Sequence, residues 1–190
     1  MRKLVLFMHL SLDGYAAGPN GELDFMSYDG ELAQWADQLV KTVGSPVYGR
    51  TTYQLMESYW PTVLANPNAP KQALAHAQWV EDVPKIVFSK TLNEVTWNNT
   101  RLIKDNIAVE IEKLKQQPGK DLVIFGSPGL AADLMNLGLI DEYKFTVHPV
   151  IVGNGISVFK NNSAKSKLKL IDSTTLKSGV VTLHYANNKM

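Results

Sequence analysis

The chain has 190 residues, no cysteine, 45% hydrophobic residues and a formal net charge of +1, the size and balance of a single soluble domain spanning 1–190. That composition excludes disulfides, thiolate catalysis and cysteine-ligated metal. The near-neutral charge argues against nucleic acid or an anionic membrane surface as the main partner, and no apolar run is long enough to cross a bilayer.

Taken in order, two basic residues precede the apolar run Leu4–Met8. His9 and Asp13 interrupt any leader-like pattern, so Lys3–Leu10 is expected to be the first core strand of a cytoplasmic protein, ending at Ser11-Leu12-Asp13-Gly14. Pro19-Asn20-Gly21 marks a turn in a long loop. Glu31–Val43 carries Leu32, Trp35, Leu39 and Val43 at helical spacing. Pro46–Tyr48 reads as a short strand, after which Gly49-Arg50-Thr51-Thr52 turns into a helix ending near Tyr59. Asn66–Pro70 is a loop, Lys71–Val80 a helix, and Lys85–Phe88 a buried strand ending at Ser89-Lys90-Thr91. Asp105–Gln117 starts on an N-cap residue, places Ile107, Ile111 and Leu114 on one face, and stops before Pro118-Gly119.

Asp121–Pro149 is the most informative stretch. Leu122–Phe125 suits a strand covered on both faces. Gly126 permits a tight turn, Ser127 is placed to cap the next helix, and Pro128 fits its first turn. Leu130, Leu134 and Leu137 fall on one helical face and Gly138 suits the helix end. Tyr143, Phe145 and Val147 then alternate with Lys144, Thr146 and His148, the pattern of a strand with one packed face. Lys167–Ser173 and Val180–Tyr185 read as antiparallel strands joined by a turn at Ser178-Gly179. The expected fold is α/β: helices on both sides of a mostly parallel central sheet, with antiparallel C-terminal edge strands. Asn98-Asn99-Thr100 and Asn161-Asn162-Ser163 match the glycosylation pattern by chance.

Three junctions combine small with basic or hydroxyl residues: Gly49-Arg50-Thr51-Thr52, Ser89-Lys90-Thr91 and Gly126-Ser127-Pro128-Gly129. Parallel strands end on one edge of an open sheet, where ligands bind, and a helix that opens there presents free N–H groups to a phosphate. Arg50 offers a planar fork and Lys90 a compact charge, so a phosphate-rich ligand such as a dinucleotide fits all three together. Each alone also reads as a plain turn. The chain has neither the G-x-G-x-x-G fingerprint nor a P-loop. Asp13, directly after the first strand and freed by Gly14, is the candidate functional carboxylate, and a turn cap is its plainer role. Trp60, before Pro61, is a candidate wall for a flat ring. His9, His76, His148 and His184 show no ligand spacing, so no metal site is expected. Lys165, Lys167 and Lys169 read as a solvated edge.

The ordered set Ser11-Leu12-Asp13-Gly14-Tyr15, Gly49 to Tyr53, Lys85 to Leu92, Phe125-Gly126-Ser127 through Leu137 to Tyr143, and Pro149 to Gly155 resembles the dihydrofolate-reductase-like fold. Its nearest likeness there is the reductase domain of bacterial riboflavin biosynthesis. The resemblance runs from Lys3 to Tyr185. It implies an NADPH-dependent oxidoreductase acting on a small heterocyclic or ribosylamino-pyrimidine-like substrate, similar to 5-amino-6-(5-phosphoribosylamino)uracil reductase. On this resemblance Gly49, Arg50, Thr51 and Thr52 meet the phosphates and Ser89 and Lys90 lie near the adenosine 2′-phosphate. Gly126, Ser127, Pro128, Gly129 and Leu130 contact the pyrophosphate and nicotinamide side, while Ser11, Asp13 and Gly14 border nicotinamide and substrate. A dihydrofolate reductase would need an acidic residue in the first helix, where only Glu31 and Asp37 are near. The same junctions are compatible with a nucleotide-binding protein without turnover, or with a structural domain in which they are only turns. The exposed C-terminal hairpin suggests a homodimer.

Overall fold

Leu4–Ser11 (β1) is buried almost throughout, with only His9 partly exposed, so both its faces must be covered. In chain order there follow β2 (Tyr15–Ala17), α1 (Gly30–Thr42), β3 (Val43–Gly49), α2 (Arg50–Ala65), α3 (Lys71–Asp82), β4 (Lys85–Phe88), β5 (Thr100–Ile103), α4 (Ile107–Gln116), β6 (Asp121–Phe125), α5 (Pro128–Asn136), β7 (Glu142–His148), β8 (Ile156–Ser157), β9 (Leu168–Thr175) and β10 (Val181–Asn187). This computed structural model describes residues 1–159 and 165–188, and the sequence Asn161-Asn162-Ser163 lies outside them.

The main sheet has the order β5-β4-β3-β6-β1-β7-β10-β9, while β2 and β8 form a small ribbon. Pairing is parallel from β5 to β7 and antiparallel at β7–β10–β9, as the sequence pattern implies. Alternate residues of the central strands serve two cores. Leu4, Leu6, Met8, Leu122 and Ile124 pack with Ile111 and Leu114 of α4 and with Leu130 and Leu134 of α5. Val5, Phe7 and Val123 pack on the other face with Leu39 and Trp35 of α1 and Trp79 of α3. Tyr48, Tyr53, Val80, Val87 and Trp97 extend that second core under α2 and α3. The layers are therefore α/β/α, the arrangement that allows continuously apolar parallel strands.

This topology creates a divergence. β6 lies between β3 and β1 and sends the chain to α5 on one face. Its neighbour β3 sends it to α2 on the other face. At such a point the connections splay and leave a crevice at the carboxyl ends of the strands.

Several local expectations change. β2, β5 and β8 are strands that the sequence pattern does not flag: β2 and β8 are only three and two residues long, and β5 opens on the polar pair Thr100-Arg101. β2 and β8 close over each other at Gly155, where a Cβ would collide with the Ala17 carbonyl oxygen. The helix expected to stop near Tyr59 runs on through Pro61 to Ala65 and buries Val63. α4 begins at Ile107 after Asn106 (φ 55°), with no side-chain cap from Asp105. Asn tolerates this left-handed conformation better than most residues. Leu137 is 49% exposed rather than packed, because the helix ends at Asn136 and Leu139 takes the buried position.

Candidate active site

Two of the three expected junctions meet directly. Val47 lies opposite Ile124 in the β3–β6 register and Gly49 opposite Phe88 in the β3–β4 register, so β3, β6 and β4 end side by side. The backbone N–H of Gly49 donates to Ser127 Oγ at 3.1 Å. Thr52 Cγ2 lies 3.9 Å from where a Cβ on Gly126 would stand, and Leu130 Cβ 3.5 Å from one on Gly49. Gly126 (φ 59°) and the buried Ser127 (φ 54°) are both left-handed. For Ser that conformation costs about 1–2 kcal/mol, and such outliers concentrate at functional turns.

The sequence places Ser127 to cap α5 with its side chain. It does stand at the N-cap position but makes no cap bond, because its hydroxyl is turned across to β3. The N-terminus of α2 likewise has no side-chain cap, and neither helix has an acidic residue in its first turn. By contrast α1 opens with Asp29 accepting from Leu32 N–H and has Glu31 in its first turn. Uncapped helix starts free of acids leave N–H groups and positive dipole ends for an anion. Arg50 and Lys90 are exposed on the same edge. The Ser89 hydroxyl accepts from the N–H groups of Thr91 and Leu92 at 3.2 and 3.0 Å, so it shapes the turn that presents Lys90.

The substrate-side candidates behave differently. Ser11 is buried, and its hydroxyl donates to Asp13 Oδ1 at 2.7 Å while accepting from Tyr15 N–H. The carboxylate of Asp13, which its sequence position suggests for the cleft, is bonded to backbone N–H groups. It is exposed, and its two oxygens accept from Val152 N–H (3.1 Å) and Gly153 N–H (2.7 Å). The Ser11 hydroxyl and these two amides hold its carboxyl down at about 2. This carboxylate pins the loop after β7 over the turn at Gly14, whose φ is 84°. Trp60 is half-buried, faces His76 with ring centroids 4.5 Å apart, and directs its N–H to Met56 Sδ. In α1, Glu31 bonds Lys177 and Asp37 accepts from Gln72, so both acids that a folate site could have used are engaged elsewhere.

Sequence reasoning misses one cluster. The alternation along β7 sends its polar side to solvent, yet Thr146 and His148 are fully buried. β1 and β7 pair in parallel with His9 opposite Thr146 and Ser11 opposite His148, and the segment before α1 closes over them. His9 Nδ1 lies 2.6 Å from Thr146 Oγ1, and His148 Nε2 lies 3.3 Å from that oxygen and 3.5 Å from His9 Nδ1. Ser27 N–H donates to His148 Nδ1 at 3.2 Å. Burial, aided by His148, pushes His9 down to about 3, and burial lowers His148 against the pull of Asp29. A row of rings leads away from the cluster. His9 meets Phe7 (5.0 Å), Phe7 meets Phe125 (5.5 Å), and His76 bridges Phe125 (6.1 Å) to Trp60. Only strand register brings residues 9 and 148 together, so spacing along the chain carries no signal for them. Among the described residues no group of His, Cys, Asp and Glu is arranged to hold a metal ion.

A parallel sheet covered on both faces, diverging at β3 and β6 and ending in antiparallel edge strands, is the dihydrofolate-reductase-like fold. Dihydrofolate reductase from Enterococcus faecalis, complexed with NADP(H), superposes with a TM-score of 0.59 at 16% identity, over 98% of this chain and 97% of that one. The chain matches the RibD C-terminal domain over residues 2–182 and belongs to that family. The protein YyaP of Bacillus subtilis strain 168, itself uncharacterised, is 34% identical over 97% of this chain and 94% of its own length. A Shewanella sp. PV-4 protein provisionally assigned to riboflavin biosynthesis has a TM-score of 0.77 at 21% identity, covering 98% and 99% of the two chains. The Thermotoga maritima diaminohydroxyphosphoribosylaminopyrimidine deaminase/5-amino-6-(5-phosphoribosylamino)uracil reductase has a TM-score of 0.69 at 15% identity. That match covers 98% of this chain and 56% of that longer one.

Proposed function

We propose that this chain is an NADPH-dependent reductase of a small flat heterocycle of the ribosylamino-pyrimidine kind, acting in the cytoplasm as a homodimer. The observation that carries the reading is the joined edge. Two uncapped, acid-free helix starts are tied by Gly49 N–H and Ser127 Oγ, with Arg50 exposed beside them and Lys90 one strand over. Phosphate groups suit that edge by charge and by hydrogen-bond direction. Gly49, Arg50, Thr51 and Thr52 with Gly126 to Leu130 would hold the pyrophosphate, and Lys90 the 2′-phosphate. The nicotinamide itself supplies the hydride chemistry, so the protein's task is to bind, orient and exclude water. Asp13 serves as a positioning residue that fixes the 150–155 loop at the substrate end. The edge strand β9, exposed along its whole length with Leu168, Leu170 and Ile171 outward, is the surface for the second copy.

The test is NADPH oxidation by the purified protein with a ribosylamino-pyrimidine, followed as loss of nicotinamide absorbance, with NADPH and NADH affinities measured in parallel. Turnover with NADPH supports the reading. Binding without turnover turns it into a nucleotide-binding protein of the same fold, and absence of nucleotide binding overturns it.

A further inference from the structure

The hydrogen bonds around Thr146 have a direction. Ser27 N–H can only donate, so His148 Nδ1 accepts and the neutral ring carries its proton on Nε2. That Nε2–H faces Thr146 Oγ1 at 3.3 Å. The single hydroxyl proton of Thr146 then goes to the 2.6 Å partner, His9 Nδ1. In that arrangement a neutral His9 carries its own proton on Nε2. No described residue bonds that nitrogen. It is not sealed off either, since His9 is the one partly exposed residue of β1. The wire begins at the backbone of residue 27 and ends in an N–H donor on His9, whose ring meets Phe7 edge-on, the first of the row Phe7, Phe125, His76 and Trp60.

We propose that His9 Nε2–H is the substrate-recognition donor of this protein, and that it selects a planar ring bearing a carbonyl oxygen at the bonded position. The inference rests on the reductase reading above and names the chemistry that its substrate must present. The groups facing His9 and its wire are His148 from β7 and Tyr28 and Asp29 from the segment before α1; Asp37 of α1 faces Tyr28 and His76 instead. Asp29 Oδ1 is taken by Leu32 N–H. The ring stays uncharged through the neutral range, because burial holds His9 down at about 3. A neutral donor with a fixed tautomer bonds a carbonyl oxygen and is mismatched to an amino group at the same place. Sites built around one such bond discriminate strongly against the analogue lacking the acceptor.

The experiment uses two probes with the same rings, lumazine and 2,4-diaminopteridine, in which two carbonyls are exchanged for two amino groups. Long-range ¹H–¹⁵N spectra of the wild-type protein should show His9 neutral and protonated on Nε2, and Thr146→Val should give a tautomer mixture. Lumazine should bind the wild type about 10-fold more tightly than 2,4-diaminopteridine, the worth of one hydrogen bond. His9→Phe should abolish the preference and Thr146→Val should reduce it, each with unchanged NADPH affinity. An Nδ1–H tautomer, equal binding of the two probes, or a preference that survives His9→Phe overturns the proposal. Because probe binding is read without the cofactor, loss of the reductase reading shows separately, as wild-type protein that prefers lumazine but neither binds nor oxidises NADPH.

Discussion

The Gly49–Gly126 edge and the β1–β7 face stand on the same parallel sheet but are built in opposite ways. The edge is made of backbone: two helix starts, a left-handed Gly-Ser pair and one crossing bond from Gly49 N–H to Ser127 Oγ. The face is made of side chains from strands far apart in sequence, with His9, Thr146 and His148 wired through ring nitrogens and a hydroxyl. The first arrangement suits phosphate, which every dinucleotide carries. The second suits one particular ring. Within a family whose members share the sheet, the side-chain wire is the part free to change with the substrate.

The largest effect expected at the edge comes from its charges. Replacing both Arg50 and Lys90 by Ala should weaken NADPH by about 100-fold or more, at about 1.5–3 kcal/mol for each lost charge-assisted bond. NADH should lose only about 10-fold, since it keeps the pyrophosphate that Arg50 would meet but lacks the 2′-phosphate assigned to Lys90. Parallel titrations with the two nucleotides check this, and an equal loss for both breaks the assignment of the edge. A smaller effect tests the join itself. Ser127→Ala leaves the Gly49 N–H without its partner and should cost about 1–3 kcal/mol of stability. Urea unfolding reads that cost. A variant of unchanged stability whose nucleotide affinity is also unchanged would mean that the two junctions do not act as a unit.

The two regions also differ in how far they can be read from the chain. Gly126, Ser127 and Pro128 announce a strand-to-helix turn because glycine, hydroxyl and proline each have a local conformational reason to stand there. The edge is legible for that reason, down to the residues that meet. What is not legible is which group Ser127 bonds: its hydroxyl caps no helix and instead crosses to β3, a choice made by tertiary packing. The sheet order is legible as a class, parallel with an antiparallel edge, but not as a register. His9 and His148 are 139 positions apart and meet because β1 lies beside β7. Thr146 and His148 look like the wet side of an alternating strand because nothing local shows that residues 25–29 will fold over them. Asp13 is legible as a functional type of residue in a suggestive place, but its partners, the amides of Val152 and Gly153, come from the far end of β7.

Asp13 gives the finest test of the boundary between the two regions, because it belongs to neither wire nor edge and fixes the loop at their end. If it positions that loop, Asp13→Asn should lower hydrogen-exchange protection at Val152 and Gly153 while leaving NADPH affinity and kcat nearly unchanged. If instead it handles the substrate, kcat/KM should fall steeply with exchange protection intact. The pH dependence separates the two independently. Its folded-state value, about 2, lies below the ordinary 3.8, so the unfolded chain binds the proton more tightly. The contribution of the latch is therefore fully present above about pH 4 and is lost as the pH falls through 2. Loop protection in the wild type should follow that course, and Asp13→Asn should not. Protection that stays constant down to about pH 2 in the wild type would show that the amides of Val152 and Gly153 are held by something other than this carboxylate. A simple turn-capping role for Asp13 would then fail together with the latch.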